Sequence, residues 1–138
     1  MNILFFLTPK SELAFINKDY TLRQAMEVME HYRYSSIPIL DKKGAYLGTI
    51  TEGDLLWFMK RNAVYNMKES ENINILDVDR RADYDYVRAD SDMEDLILKA
   101  TNQNFVPVVD DSNHFIGIIT RKDIILYYYN NMCEIPEA

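Results

Sequence analysis

The sequence has few of the residues that mark a catalytic centre or a covalently braced fold. It contains one cysteine, Cys133, two histidines, His31 and His114, and four glycines in 138 residues. A single cysteine excludes an intramolecular disulfide framework and a cysteine-rich metal site. The three residues form no recognisable ligand or nucleophile set, and the glycines are too dispersed for a phosphate loop. We therefore expect neither an enzyme nor a metalloprotein, and a reducing cytoplasm fits this composition.

Positive charge and long apolar runs are also scarce. The chain has 15 Lys and Arg against 22 Asp and Glu, a net charge of −7. Duplex DNA and anionic membrane surfaces need concentrated positive charge, so neither is an expected partner. The apolar run Ile3 to Leu7 is short, and no stretch approaches the roughly 18 to 20 residues of a membrane helix. The sequence predicts a soluble protein.

What the sequence does contain is an internal repeat. "IPILDKKGAYLGTITEGDLL" (37–56) aligns without a gap with "VPVVDDSNHFIGIITRKDII" (106–125). Upstream, "FINKDYTLRQAMEVM" (15–29) aligns with "YVRADSDMEDLILKA" (86–100). A period this long indicates two duplicated half-domains and not a solenoid array. The hydrophobic content of 48% suffices for one sizeable core, so we expect one compact unit.

Each copy shows the same order of periodicities. Apolar residues at helical spacing predict one amphipathic helix, in the first copy at Leu22, Ala25, Met26 and Met29. A short β-branched run, a turn and a second apolar run then predict a hairpin. A second helix follows from Gly53 and from Lys122, and a short strand precedes the first helix. The α/β (α+β) pattern is β-α-β-β-α, twice.

These features resemble the CBS (cystathionine β-synthase type) motif, and the pair resembles a tandem CBS pair, or Bateman module. The shared elements are a helix followed by x-Pro in a strand, a hairpin turn, and G-h-h-T-x-x-D entering a helix, where h is apolar. We place motif 1 at 1–65, a linker at 66–78 and motif 2 at 79–138. The resemblance implies motifs packed about a pseudo-two-fold axis, with clefts that often hold adenosine-containing ligands. It also implies a regulatory role and dimerisation into a disc.

The Thr-x-x-Asp element at Thr51 and Asp54, repeated at Thr120 and Asp123, has two interpretations. It is close to a capping box, in which Thr accepts a main-chain N–H and the acid reaches back. The same helix start offers unpaired N–H groups to a phosphate, and the carboxylate can accept two ribose hydroxyls. In the family that the chain resembles, these two positions contact phosphate and ribose.

Basic residues distinguish the two copies. Glu52 and Gly53 lie between Thr and Asp in the first copy, where the second has Arg121 and Lys122. A phosphate favours the second arrangement because opposite charges attract. "TPK" (8–10) is equivalent to "DRR" (79–81), and the family's arrangement would bring these residues toward a cleft. The candidate phosphate ligands are Arg80, Arg81, Arg121, Lys122 and Lys10; the alternative for each is solvated surface charge.

The x-Pro pairs supply a candidate wall for a base. Ile37 and Val106 are ordinary core-strand residues by type, and Pro38 and Pro107 follow them. Because proline cannot donate in a sheet interior, the strand there should lie at an edge or beside an opening. An apolar wall with exposed main-chain groups suits a flat purine.

The leading hypothesis is a regulatory module that binds an adenine nucleotide (AMP, ADP or ATP) or cyclic di-AMP, with no further cofactor or metal. The alternative is a ligand-free interaction or dimerisation scaffold in which Thr-x-x-Asp only caps helices. Binding of RNA through Tyr127, Tyr128 and Tyr129 ranks third, because a basic surface is missing. We expect a homodimer through apolar helix faces at 55–59 and 124–129, and an unidentified regulated protein as a further partner.

Overall fold

The computed structural model describes residues 1–81 and 83–133, without the side chain of Cys133. The end of predicted motif 2, residues 134–138, lies outside the described residues. The chain forms two compact units and not the single one expected from its length. One is Ala14–Asp83, and the other joins Met1–Leu13 to the chain from Tyr84 onward. Each unit has its own buried apolar cluster, which is the physical reason for the division.

The Ala14–Asp83 unit contains three strands and three α-helices. Its strands are β2 (Ile16–Asn17), β3 (Ser36–Leu40) and β4 (Tyr46–Thr51). Its helices are α1 (Leu22–Tyr32), α2 (Glu52–Arg61) and the single turn α3 (Met67–Ser70). The sheet order is β2-β3-β4, with β2 parallel and β4 antiparallel to β3. The order β-α-β-β-α is the predicted one.

The other unit repeats this order and adds a strand from the N-terminus. It contains β1 (Thr8–Pro9), β5 (Val87–Arg88), α4 (Met93–Ala100), β6 (Phe105–Val109), β7 (Phe115–Thr120) and α5 (Arg121–Cys133). The sheet order is β1-β7-β6-β5, and β1 is antiparallel to β7. The added strand explains why the N-terminal residues belong to this unit.

Local sequence explains where the helices begin. Thr21 and Gln24 form a complete capping box at α1, and Asp92 caps α4 by accepting the N–H of Asp95 at 2.8 Å. Helices α2 and α5 begin at Glu52 and Arg121, one residue before the predicted starts. The Thr that precedes each helix is therefore the residue that fixes its start.

The hairpin turns are closed by equivalent aspartates. Oδ1 of Asp41 accepts the N–H groups of Lys43 and Ala45, each at 2.9 Å. Oδ1 of Asp110 accepts those of Ser112 and His114, also each at 2.9 Å. The Ala45 N–H is the leading cause that holds the pKa of Asp41 below its ordinary value, and the His114 N–H has the same effect on the pKa of Asp110.

The two prolines lie in central strands and not at a sheet edge. Pro38 is opposite Thr49 of β4, while β2 on the other side pairs with Ile39 and Leu40, one step farther along. Pro107 has the same position, because β5 pairs with Val108 and Val109. The edge alternative is therefore wrong, because β3 and β6 are central strands, but β2 and β5 make no pair at the prolines themselves, which agrees with the alternative of an opening. A central proline is tolerated because the flanking two-residue strand begins pairing beyond it.

Candidate functional site

The first Thr-x-x-Asp element forms a complete capping box. Oγ1 of Thr51 accepts the N–H of Asp54 at 3.1 Å, and Oδ2 of Asp54 accepts the N–H of Thr51 at 3.0 Å. The N–H of Glu52 donates to the carbonyl of Ser35 at 2.9 Å. The first turn of α2 is thus held both by its own cap and by the chain that leads into β3.

The carboxylate of Asp54 also binds the segment that follows the linker. Its Oδ1 accepts the main-chain N–H of Arg81 at 3.2 Å, and the residue is only 7% exposed. Both oxygens of this buried carboxylate therefore have main-chain donors. The predicted ribose contact would have to use their remaining lone pairs or displace one of these bonds.

Arg80 directly precedes Arg81, whose main chain binds Asp54, but its side chain has a different role. Its Nε donates to Oδ2 of Asp83 at 2.9 Å, and Oδ1 of Asp83 accepts the N–H of Thr49 at 2.8 Å. The pair covers Gly48, where an added Cβ would lie 2.7 Å from Asp83 Oδ2 and 2.8 Å from Arg80 Nε. Glycine is favoured here chiefly by its φ of +153°, and a side chain would also have to displace the ends of Asp83 and Arg80. The charge of Arg80 is balanced within this contact.

Gly117 has the equivalent role in the other unit. Thr8 and Pro9 of β1 pair with Ile118 and Gly117, and a Cβ on Gly117 would lie 2.2 Å from the carbonyl oxygen of Thr8. Lys10 follows directly and begins a short 3₁₀ helix, Lys10–Glu12, in a half-buried position. The segments 8–10 and 79–81, equivalent by sequence, thus lie next to equivalent glycines in their respective units.

The second Thr-x-x-Asp element has a different hydrogen-bond pattern. Oγ1 of Thr120 accepts the N–H of Asp123 at 3.1 Å, as in the first copy. Within residues 1–81 and 83–133, however, no group donates a hydrogen bond to the Asp123 carboxylate. Asp123 is half-buried, so this carboxylate remains accessible from solvent. It has the acceptor capacity that the ribose hypothesis requires.

Arg121 and Lys122 occupy the first turn of α5. The N–H of Arg121 donates to the carbonyl of Asn104 at 2.9 Å, and its Nε donates to the carbonyl of Gln103 at 3.2 Å. The guanidinium is therefore held beside the helix start, where an anion is favoured. Lys122 is exposed. Together with Asn104, Thr120, Ile125 and Leu126 these residues line an open pocket of about 530 Å³.

The residues of the proposed purine wall are buried. Ile37 and Val106 have no exposed surface and belong to the two apolar clusters, and Pro38 and Pro107 are buried as well. The side chains of Ile37 and Val106 therefore act as core. Any contact they make with a base would have to come through the main chain.

The described residues contain no group of three or more His, Cys, Asp or Glu side chains that could hold a metal ion. In the same part of the chain, no helix has both the length and the apolar character needed to cross a membrane.

Comparison with known families identifies the fold. The model of the CBS domain family matches residues 7–61 and 76–130, which is most of the chain. The chain belongs to the CBS domain family. The resemblance noted from the helix, the x-Pro strand and the G-h-h-T-x-x-D element is thereby confirmed, with two CBS domains in tandem.

A curated relative shares this CBS region within a longer protein. The chain is 32% identical over 114 residues to an inosine-5'-monophosphate dehydrogenase of Methanocaldococcus jannaschii, covering 80% of this chain and 20% of that protein. It thus spans about a fifth of that relative's length.

Solved structures of CBS proteins share the fold along nearly the whole chain. CbpB in complex with c-di-AMP has a TM-score of 0.84 and 21% identity, covering 97% of this chain and 88% of that one. CBSX2 in complex with AMP has a TM-score of 0.75 and 21% identity, covering 95% and 98%. At this identity the likeness shows the CBS fold.

Some residues of these CBS domains were missed by sequence reasoning. Asp83, which binds Arg80 and the main chain of Thr49, lies just after the "DRR" segment and belongs to no recognisable sequence motif. Trp57, Lys60 and Arg61 of α2 line a pocket with Arg81. The signal that could have found this pocket was the i, i+3, i+4 spacing of Trp57, Lys60 and Arg61, which places them on one helix face.

Proposed function

We propose that this CBS pair is a regulatory module that senses an adenosine-containing ligand, either an adenine nucleotide or cyclic di-AMP. The Thr-x-x-Asp elements are the proposed contacts to phosphate and ribose. Ligand binding would change the state of the module or of an unidentified protein that it regulates. We further propose that the chain has no enzymatic activity of its own, acts in the cytoplasm and binds no nucleic acid.

The observation that carries this proposal is the unoccupied acceptor capacity of Asp123. A carboxylate needed only as a helix cap would accept the N–H of Thr120, as Asp54 does for Thr51. Among the described residues, Asp123 makes no such bond while its own N–H still donates to Thr120. Two adjacent ribose hydroxyls can donate to one carboxylate, which accounts for an acid at this position.

The charge at the start of α5 supports a phosphate next to that ribose. Arg121 and Lys122 stand beside the Thr120 hydroxyl, and Arg121 is held there by the Gln103 carbonyl. Cationic donors and a helix N-terminus together favour an anionic group. The complexes of CbpB with c-di-AMP and of CBSX2 with AMP are examples of adenosine-type ligands on this fold.

A ligand panel tests the proposal. AMP, ADP, ATP, cyclic di-AMP and adenosine are each added at increasing concentration while the melting temperature is recorded. A ligand present at 100 times its Kd stabilises the folded chain by roughly 2.7 kcal/mol. We expect at least one adenosine compound to raise the melting temperature, with guanosine as the control. No shift with any of them up to millimolar concentration would refute ligand sensing.

The second candidate function is a dimerisation or interaction scaffold, and the helix surfaces favour it. A groove of about 720 Å³ between α1 and α2 is lined by Met26, Met29, Tyr34, Leu55, Leu56 and Met59, and also by Glu30, Arg33, Ser35 and Glu52. On α5, Ile125, Leu126 and Tyr129 are exposed. Apolar surface of this kind is typical of a protein contact.

We accordingly propose that two copies associate through these helix faces. Sedimentation at micromolar concentrations should show a dimer. Leu56→Glu is expected to shift the population toward monomer, because a charge would be buried against apolar side chains. A wild-type chain that stays monomeric at tens of micromolar, a concentration at which weak associations are populated, would contradict this.

A further inference from the structure

The Ala14–Asp83 unit contains a basic pocket that the Thr-x-x-Asp elements do not explain. Its lining residues are Trp57, Lys60 and Arg61 of α2 and Arg81, and its volume is about 380 Å³. Three of these four residues are cations, and none is an acid. This is unusual in a chain whose net charge is −7.

These three cations are not balanced by carboxylates within the described part of the chain. In the same unit Arg23 is paired with Glu27 and Glu71, and Arg80 with Asp83, whereas Arg33 has no ion pair among the described residues. Among residues 1–81 and 83–133, no carboxylate forms an ion pair with Lys60, Arg61 or Arg81. Like charges gathered at one place repel each other, and an anion would relieve that repulsion.

The dipole of α2 explains only part of this cluster. Lys60 and Arg61 lie in the last turn, where positive charge is favourable for the helix. Arg81 belongs to a different segment, and its main chain is fixed by Oδ1 of Asp54 at 3.2 Å. Its position beside Lys60 and Arg61 therefore comes from the tertiary structure and brings a third cation to the pocket.

Trp57 connects the pocket to the first Thr-x-x-Asp element. The ammonium of Lys60 lies 5.6 Å from the centre of the Trp57 ring, a cation–π contact that restrains the lysine. A Cβ placed on Gly53 would lie 3.8 Å from Thr51 Oγ1 and 3.9 Å from Trp57 Nε1. The missing side chain thus leaves space bordered by a hydroxyl and an indole N–H, between Thr51 and the basic pocket.

We propose that the basic pocket binds the distal phosphates of a nucleoside polyphosphate whose nucleoside end lies at Thr51 and at the lone pairs that Asp54 keeps beside its two main-chain hydrogen bonds. This inference rests on the proposed function and specifies its ligand class. Lys60, Arg61 and Arg81 supply charge-assisted donors, and guanidinium groups can bind phosphate oxygens in bidentate fashion. A nucleoside monophosphate carries a single phosphate, so it offers fewer oxygens to these three cations than a diphosphate or triphosphate does. The pocket therefore favours ATP and ADP over AMP.

The test compares ATP, AMP and pyrophosphate by calorimetry on the whole chain. The variant is Lys60→Gln/Arg61→Gln, which removes two charges while keeping long side chains. The control is Lys42→Gln/Lys43→Gln, which changes the net charge equally in the hairpin turn after Asp41. Circular dichroism and melting temperature show whether each variant is folded.

We expect wild type and control to bind ATP at least about tenfold more tightly than AMP, because the additional phosphates of ATP would form one or two more charged hydrogen bonds. The pocket variant should lose that preference and its affinity for pyrophosphate while binding AMP as before. Equal affinity of the wild type for ATP and AMP, or unchanged ATP binding by the variant, would overturn the proposal. If the wild type binds pyrophosphate but no nucleotide, and the pocket variant no longer binds pyrophosphate, the phosphate pocket is supported and nucleotide sensing is refuted. If the wild type binds AMP and shows no preference for ligands with more phosphates, nucleotide sensing is supported and the phosphate pocket is refuted.

Discussion

The main-chain N–H of Arg81 donates a hydrogen bond to the Asp54 carboxylate, 27 residues earlier in the chain, at 3.2 Å. The other oxygen of Asp54 accepts the N–H of Thr51. One buried side chain thus caps α2 and fixes the segment that carries Arg80 and Arg81. Asp123, its equivalent in the repeat, has neither contact among the described residues. Two aspartates that are identical by motif are therefore expected to differ in function.

Replacing Asp54 should mainly reduce stability. Asp54→Ala leaves the N–H groups of Thr51 and Arg81 without their acceptor in a position that is 7% exposed. Losing a cap and a buried acceptor costs about 1 to 3 kcal/mol, so urea denaturation without ligand should show a clear loss. Asp54→Asn keeps one acceptor oxygen, so its unfolding midpoint should lie between those of the wild type and Asp54→Ala. An unchanged unfolding midpoint for Asp54→Ala would contradict the role assigned to this carboxylate.

Replacing Asp123 should mainly reduce affinity. Asp123→Ala removes a carboxylate to which the described residues donate nothing, while the main-chain N–H that binds Thr120 is retained. We expect a small change in melting temperature without ligand and a loss of about 1.5 to 3 kcal/mol in the binding free energy of the adenosine ligand. Calorimetry with the ligand found in the panel measures this. A lower melting temperature with unchanged affinity would mean that Asp123 is only a cap.

Charge reversal at Arg121 should separate phosphate recognition from base recognition. Arg121→Glu makes the second element resemble the first, where Glu52 stands. Affinity for AMP and ADP should fall much more than affinity for adenosine, because the change acts on the phosphate, and added salt should narrow the difference. Arg88→Glu, on β5 of the same unit, is the control for net charge. Equal losses for all three ligands would show that Arg121 does not contact phosphate.

A methyl group at Gly53 should raise stability and lower affinity together. The new Cβ would lie 3.8 Å or more from its neighbours, at ordinary contact distance. Gly→Ala in a helix stabilises by up to about 1 kcal/mol. The methyl group would fill the space between Thr51 and Trp57, so ATP affinity should fall several-fold in calorimetry while the melting temperature rises. If both stability and ATP affinity rose, the space between Thr51 and Trp57 would not be part of the ATP site.

The hairpin aspartates predict acid sensitivity. The folded-state pKa of Asp41 is lowered, first by the N–H of Ala45, and that of Asp110 is lowered first by the N–H of His114. A lowered folded pKa contributes stability above the unfolded value of about 3.9, and this is lost as pH falls through the folded pKa. Asp41→Asn/Asp110→Asn should therefore flatten the decline of melting temperature below about pH 4. A decline as steep as in wild type would show that other carboxylates dominate.

Much of the fold could be predicted from the sequence because its signals are local. The helix starts directly after Thr51 and Thr120 follow from side-chain caps, and the hairpins follow from β-branched runs before Asp41 and Asp110. The repeat itself indicated two equivalent halves, and the family match confirmed them. The Thr and Asp positions of the candidate site were found in the same way, since cap and ligand contact use the same helix start.

Contacts between distant segments were decided only by the tertiary structure. Gly48 lies against Arg80 and Asp83, and Gly117 against Thr8 and Pro9, so each glycine is covered by a segment that is remote in the chain. Periodicity reports which face of an element is buried but not which remote segment covers it. The pairing of Arg80, the anchoring of Arg81 and its convergence with Lys60 therefore depend on packing. The sequence determined the elements and the repeated motif, whereas packing determined which charges are paired and which remain for a ligand.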